Sequence, residues 1–412
     1  MGFQPSTTEP SLLAALLSGP GLLPGVTASL AMEAAGGGDD AFWQPPRCLL
    51  MTMMRHIRIK VLSLVMIMTS FKVHSCVEGN KTAVPAIFMF GDGVLDVGNN
   101  NYLPSDASQA DYPYYGIDLP GSTPTGRFSN GYNMADFIAK DMGFNMSPPA
   151  YLSLNGSVKM DANFTGMNFA SAGAGIQTII NDAATMPFWY QVSQFNDTIG
   201  QMEANLVHQK LRKLLVKSLF LISVGTMDLS VNLWRPMRNP LRPSPFNIPN
   251  TISSYKAIIT KLYGLGARKF GIINVQPFGC QPWARQFSKN HVECNDTMNN
   301  LAREFNDELK PLFFNLSSQL NGLSYSIADL YGFSNATFMN PRAYGFVNIN
   351  STCCNPPCTP ENDPPCENRK QYWFWDDSYM TEQADKLASA AFYNGPARFT
   401  VPINFKRLVK IK

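Results

Sequence analysis

Four short runs of apolar, β-branched or aromatic residues punctuate the chain: Ala86–Phe90 (AIFMF), Leu219–Val224 (LFLISV), Lys269–Val275 (KFGIINV) and Leu323–Leu330 (LSYSIADL). They are bounded by Gly or Asp, and continuous apolar runs of this length read as strands buried on both faces of a parallel sheet. Between them, Asn133–Met142, Ser253–Leu265 (closed by Gly266), Asp296–Leu320 and Thr381–Tyr393 repeat apolar positions at helical spacing. This alternation predicts an α/β fold, a parallel sheet covered by helices on both sides. Functional groups in such sheets gather beyond the carboxyl ends of the strands, so the residues just after each run are the ones to inspect. No internal repeat interrupts the pattern.

The first 75 residues break it. Residues 1–50 are rich in Gly, Ala, Leu and Pro without a sustained period, and read as a disordered segment or an upstream extension. Residues 51–75 have the layout of a signal peptide: a basic stretch, Arg55–Lys60, then an apolar run, Val61–Phe71, and small or branched residues at Val73 and Ser75. The run falls short of the roughly 20 residues that span a bilayer. Residues 76–412 are expected to form a single domain, in a chain expected to be secreted to the extracellular space or cell wall.

Composition narrows the function. The chain has 412 residues, 45% of them hydrophobic, enough for a large core, and a net charge of +3 with no basic run interleaved with aromatics, so nucleic acid is not an expected partner. Glycosylation sequons at Asn80, Asn145, Asn155, Asn163, Asn196, Asn295, Asn315, Asn335 and Asn350 agree with secretion. Of eight cysteines, Cys280 and Cys294 lie close in sequence, and Cys353, Cys354, Cys358 and Cys366 crowd a Pro-rich loop. In an oxidising compartment these suggest local disulfides of undetermined connectivity; the rival reading is a zinc cluster, from the ligand-like spacing of Cys354 and Cys358.

After the first run comes Phe90-Gly91-Asp92-Gly93-Val94-Leu95-Asp96-Val97-Gly98-Asn99-Asn100-Asn101. This resembles the opening block of plant GDSL esterase/lipase proteins of the SGNH hydrolase superfamily, F-G-D-S followed by D-x-G-N-N-N. Pro124–Gly131, Asn168-Phe169-Ala170-Ser171, Leu265–Phe270 and Cys366–Arg369 are similar to family stretches in the same order, from about Val84 to Phe405. The resemblance implies a three-layer α/β/α sandwich with a flavodoxin-like parallel sheet, and hydrolysis of carboxylic esters of lipid or other acyl groups.

That chemistry needs a serine nucleophile, a histidine base held by an aspartate, and an oxyanion hole. Carried over position by position, the nucleophile is Gly93, which has no side chain oxygen. The oxyanion asparagine of G-x-N-D is Met227, within Gly225-Thr226-Met227-Asp228, and a thioether donates no hydrogen bond. In D-x-x-H the aspartate is retained as Asp376, but the histidine is Tyr379, a phenol and a poor base at neutral pH. The backbone donor of the second block falls at Ala172 or Gly173, with Gly173 the chosen position. Loss of nucleophile or base alone costs about a millionfold in rate in a well-studied serine hydrolase.

His208 and His291 fall on no catalytic position, and Asp92, Ser129 and Ser171 read as loop or capping groups. The aromatic run Trp373-Phe374-Trp375 reads as packing under the final loop, and Gly126-Arg127 as a turn with a surface arginine. No cofactor or metal is expected. Together these positions describe a secreted family member that has lost catalysis and binds an acyl-ester or lipid-like ligand or a protein partner. The alternatives are an active ester hydrolase with an unrecognised nucleophile and a structural wall glycoprotein.

Overall fold

A computed structural model describes residues 82–177, 185–231 and 247–412, all of them within one compact unit, Cys76–Lys412. The expectations for residues 1–50 and 51–75, and for Asn80, lie outside the described residues.

The four apolar runs become the strands β1 (Ile87–Gly91), β3 (Leu219–Ser223), β4 (Lys269–Ile273) and β5 (Ser324–Ala328), and the short β2 (Gly166–Asn168) joins them. Strands β6 (Asn348–Thr352) and β7 (Tyr372–Phe374) pair in a separate ribbon, and β8 (Thr400–Val401) closes the main sheet. The order is β2-β1-β3-β4-β5-β8, parallel except for antiparallel β8. Without that edge strand it is the flavodoxin-like order 2-1-3-4-5.

Period-two alternation sends successive strand residues to opposite layers. Phe88, Phe90, Phe220 and Ile222 face the helices Phe188–Asn205, Ile248–Gly264 and Asp296–Gln319. Ile87, Met89, Leu219 and Leu221 face Met134–Asp141, Glu382–Asn394 and Phe405–Lys410. The result is the expected α/β/α sandwich, with an aromatic core in its first layer: Phe90 stacks on Phe169 at 5.2 Å and meets Phe195 edge-on at 5.7 Å.

Local sequence sets the helix ends. Asn133 caps Met134–Asp141 in a reciprocal capping box with Asp136. Asn247 accepts from Asn250 N–H at 2.7 Å, with Pro249 in the first turn, so that helix begins at Ile248 rather than Ser253.

Among the described residues, three disulfides settle the pairing of the six cysteines in question: Cys280–Cys294, Cys353–Cys366 and Cys354–Cys358. The last two consume the thiols on which the zinc alternative rested. They also brace the final loop, because Cys353 and Cys354 donate backbone hydrogen bonds to Trp375 O at 3.0 and 2.7 Å.

Candidate functional site

A cleft of about 330 Å³ opens beyond the carboxyl ends of β1, β3 and β4. Four of the five positions carried over from sequence line it: Gly93 after β1, Gly173 after β2, Met227 on the helical turn after β3, and Tyr379 in the loop after β7. The fifth, Asp376, is buried behind Tyr379. Gln276, Gln281 and Trp283, from the segment after β4, complete one wall. None of the sequence motifs singles them out, although they follow a recognised strand at the edge where a site is expected.

Gly93 and Tyr379 share one space. A Cβ built on Gly93 would lie 2.6 Å from Tyr379 Cζ and closer still to its hydroxyl. The phenol thus stands where a side chain at position 93 would begin. Its ring is held against Phe128, 4.7 Å between centroids, so it cannot yield freely.

Asp376 is fully engaged without an imidazole. Its Oδ1 accepts the backbone N–H groups of Ser378 at 2.9 Å and Tyr379 at 2.7 Å, and its Oδ2 accepts the Tyr115 hydroxyl at 2.8 Å. The aspartate therefore shapes the turn that carries Tyr379.

The backbone positions expected to supply oxyanion donors differ in what they have left to offer. Ala172 N–H is spent on Asp96 Oδ2 at 2.9 Å, which leaves Gly173 as the second-block donor, in a left-handed conformation with φ of 81° that favours glycine. Neither Gly93 N–H nor Gly173 N–H has a hydrogen-bond partner among the described residues, and both residues line the cleft. Asp228, next to Met227, contributes from behind the cleft wall. Its carboxylate accepts from Ile176 N–H at 2.8 Å and Gln177 N–H at 3.0 Å, pinning the loop that presents Gly173.

Buried carboxyls surround the cleft. Burial, with Asp228 adding to it, pushes Asp92 up to about 7; burial and then Asp377 raise Asp376 to about 7. Asp96 and Asp228 rise to about 6, mainly by burial. Burial, reinforced by Asp92 and Asp376, holds the Tyr379 phenol well above its ordinary value. Tyr379 is thus a proton-bearing donor at neutral pH and supplies no base.

The remaining candidates fall elsewhere. His208 pairs at the surface with Glu203, and His291 Nδ1 meets Gln286 O, both away from the cleft. Ser171 donates to Asn100 Oδ1 at 2.6 Å, and Ser129 accepts from Gly131 N–H, both structural bonds. Trp373, Phe374 and Trp375 are buried and do not line the cleft. One expectation is corrected: Arg127 is a buried residue, not a surface one, and its guanidinium grips Asp136 bidentately at 2.7 and 2.8 Å. The physical reason is that Asp136, a buried carboxylate in the first turn of its helix, needs a counter-charge.

Among the described residues, no group of three or more His, Cys, Asp or Glu side chains is placed to hold a metal ion. No helix among them is long and apolar enough to cross a membrane.

A sequence model of the family described as GDSL-like Lipase/Acylhydrolase matches residues 87–392. The Arabidopsis thaliana protein named GDSL esterase/lipase At5g55050 is 32% identical over 363 residues, covering 82% of this chain and 94% of that one. GDSL esterase/lipase APG, also from Arabidopsis thaliana, is 33% identical over 324 residues, covering 75% and 90%. Among solved structures, the chain is similar to Est24, a carbohydrate acetylesterase from Sinorhizobium meliloti, at 11% identity and a TM-score of 0.32, covering 59% of this chain and 83% of that one.

Proposed function

This chain belongs to the GDSL-like lipase/acylhydrolase family, and from that premise we propose that it keeps the family's cleft but not its hydrolysis, acting as a secreted glycoprotein that binds an acyl-ester or lipid-like ligand or a partner protein. The observation that carries the reading is the Tyr379 phenol in the space a nucleophile at Gly93 would need. The serine, the histidine and the asparagine that the family's reaction uses are all replaced, at Gly93, Tyr379 and Met227.

What remains suits recognition of a carbonyl. Gly93 and Gly173, whose N–H groups have no partner among the described residues, line the cleft beside a phenol that keeps its proton. Such donors hold an ester oxygen, but without a nucleophile and base they hold it without acylation. Val94, Met227 and Trp283 offer apolar contact to the rest of the ligand. Six sequons, at Asn145, Asn155, Asn163, Asn196, Asn315 and Asn350, are exposed, which supports the glycoprotein reading. Asn295 is different: its side chain caps a helix through Met298 N–H at 3.1 Å and donates to Phe287 O at 3.0 Å.

A second reading has its own observation. Ser378 Oγ donates to Asp377 Oδ1 at 2.8 Å, and both residues line the cleft. In an active hydrolase, Ser378 Oγ would attack the carbonyl carbon while its proton passes to the Asp377 carboxylate and then to the departing alkoxide, after which a water, giving its proton to Asp377, would release the acyl group as the acid and restore Ser378. A carboxylate is a weaker base than imidazole at neutral pH, so this dyad stands second.

Hydrolysis of a short-chain aryl ester by the purified protein, against heat-denatured protein and an active relative, separates the two. A rate equal to the denatured control supports binding without catalysis. A rate near that of the relative, abolished by Ser378→Ala, overturns it in favour of the dyad.

A further inference from the structure

A second cavity, of about 850 Å³, lies at the opposite, amino-terminal end of the sheet, where Lys269 opens β4 and Ser324 opens β5. It falls within the range of small-molecule sites. Arg212, Lys217, Arg268, Lys269 and Lys412 line it, and among the described residues no Asp or Glu side chain does. None of these cations enters an ion pair among the described residues. Lys217 and Lys269 are close enough that Lys217, after burial, helps to depress the Lys269 ammonium.

Part of this charge has a local use. Arg268 Nη1 donates to Tyr263 O at 2.8 Å and Ala267 O at 2.7 Å, and Lys269 Nζ to Val409 O at 2.9 Å, while Lys217 complements the end of its own helix. The Arg268 guanidinium also lies over the Tyr263 ring, 3.8 Å from its centroid, so that Arg212 and Lys217 are the cations left without a hydrogen-bond acceptor or ring partner among the described residues, with the outer edge of Arg268 beside them. Arg212 lies too far from the last turn of its helix to serve as a cap. Ala83, Pro85, Val216, Val409 and Ile411, the last of these 39% exposed, give the lining an apolar side, and Asn321 and Ser324 are its uncharged polar members.

Unpaired cations and an apolar wall in one cavity call for one kind of molecule. We propose that this cavity binds an amphipathic anion, a carboxylate or phosphate head on an apolar body, with the head against Arg212, Lys217 and Arg268 and the body against Val216, Val409 and Ile411. Guanidinium and ammonium donors match either head group, and each methylene buried against the apolar wall adds to affinity. An anion with no apolar body gains only the first term; an uncharged amphiphile gains only the second.

The test is calorimetric titration of the full chain with laurate, dodecyl phosphate, dodecanol and acetate, repeated on Arg212→Ala/Lys217→Ala. Both side chains are exposed, and unchanged circular dichroism checks that the variant folds. The expected result is that laurate or dodecyl phosphate binds, that dodecanol and acetate bind at least about tenfold more weakly, and that the variant loses about tenfold in affinity for the anion. The better of the two anions identifies the head group. Equal affinity for dodecanol, an unaffected double variant, or no binding of either anion overturns the proposal. So does loss of anion binding on Met227→Trp, which fills the other cleft and leaves this cavity alone; ester hydrolysis by the protein would not bear on it.

Discussion

The Tyr115 hydroxyl donates to Asp376 Oδ2 at 2.8 Å, so the acid at the position expected for a triad aspartate is held by a phenol and two backbone amides, with no imidazole beside it. Tyr115→Phe removes that donor from a buried carboxyl. It is expected to cost about 1–3 kcal/mol of stability in urea denaturation. If Asp376 serves structure alone, the same change leaves the ester hydrolysis rate where it was.

Restoration of the reaction has to respect the packing between positions 93 and 379. Gly93→Ser alone is expected to destabilise the chain by about 1–3 kcal/mol, as overpacking does, and to yield no hydrolysis. Gly93→Ser with Met227→Asn and Tyr379→His removes the obstruction and supplies the missing groups, and measurable aryl-ester hydrolysis is the expected outcome. No gain from the triple variant would show that the cleft no longer fits an ester.

The buried carboxyls set a pH dependence. Asp92 and Asp376 titrate near 7 in the folded chain, raised mainly by burial from an ordinary value of 3.8. Between those limits the folded state holds more protons than the unfolded, so stability falls as pH rises through that window. Tm is expected to be higher at pH 5 than at pH 8. Asp92→Asn should narrow the difference, because an amide does not titrate, while Asp376 keeps its own share.

Removing the Cys353–Cys366 bridge as Cys353→Ser/Cys366→Ser opens a loop with a sequence separation of 13 and is expected to cost about 2–4 kcal/mol. A denaturation midpoint that did not move would mean the bridge does not brace the loop of Asp376 and Tyr379.

The central sheet was legible because its strands are buried on both faces and write themselves as apolar runs, as in Ala86–Phe90. β2, only Gly166-Met167-Asn168, and the two-residue β8 carry no such run and are set by their neighbours. The helix Phe188–Asn205 is hidden in the sequence because Asn, Gln and Gly200 dilute its period. At the site, Gly93, Gly173, Met227 and Tyr379 were found through motif resemblance, and the structure brings them to one cleft. Gln276, Gln281 and Trp283 belong to none of those motifs and could be placed only by the fold. The burial of Arg127 was hidden for a related reason, since its partner Asp136 is nine residues away on a different element.

The shared space at Gly93 and Tyr379 also orders the mutational steps open to this chain. A side chain at 93 is penalised while the phenol stands, whereas replacing the phenol with a smaller group costs nothing at 93. If hydrolysis has been lost, as proposed, the less costly return begins at position 379, with no catalytic reward until position 93 follows. Read in the other direction, the tyrosine fits only once the serine is gone. On the proposed reading the pair would work as a ratchet, in which loss of the serine is followed by a substitution that penalises the direct way back.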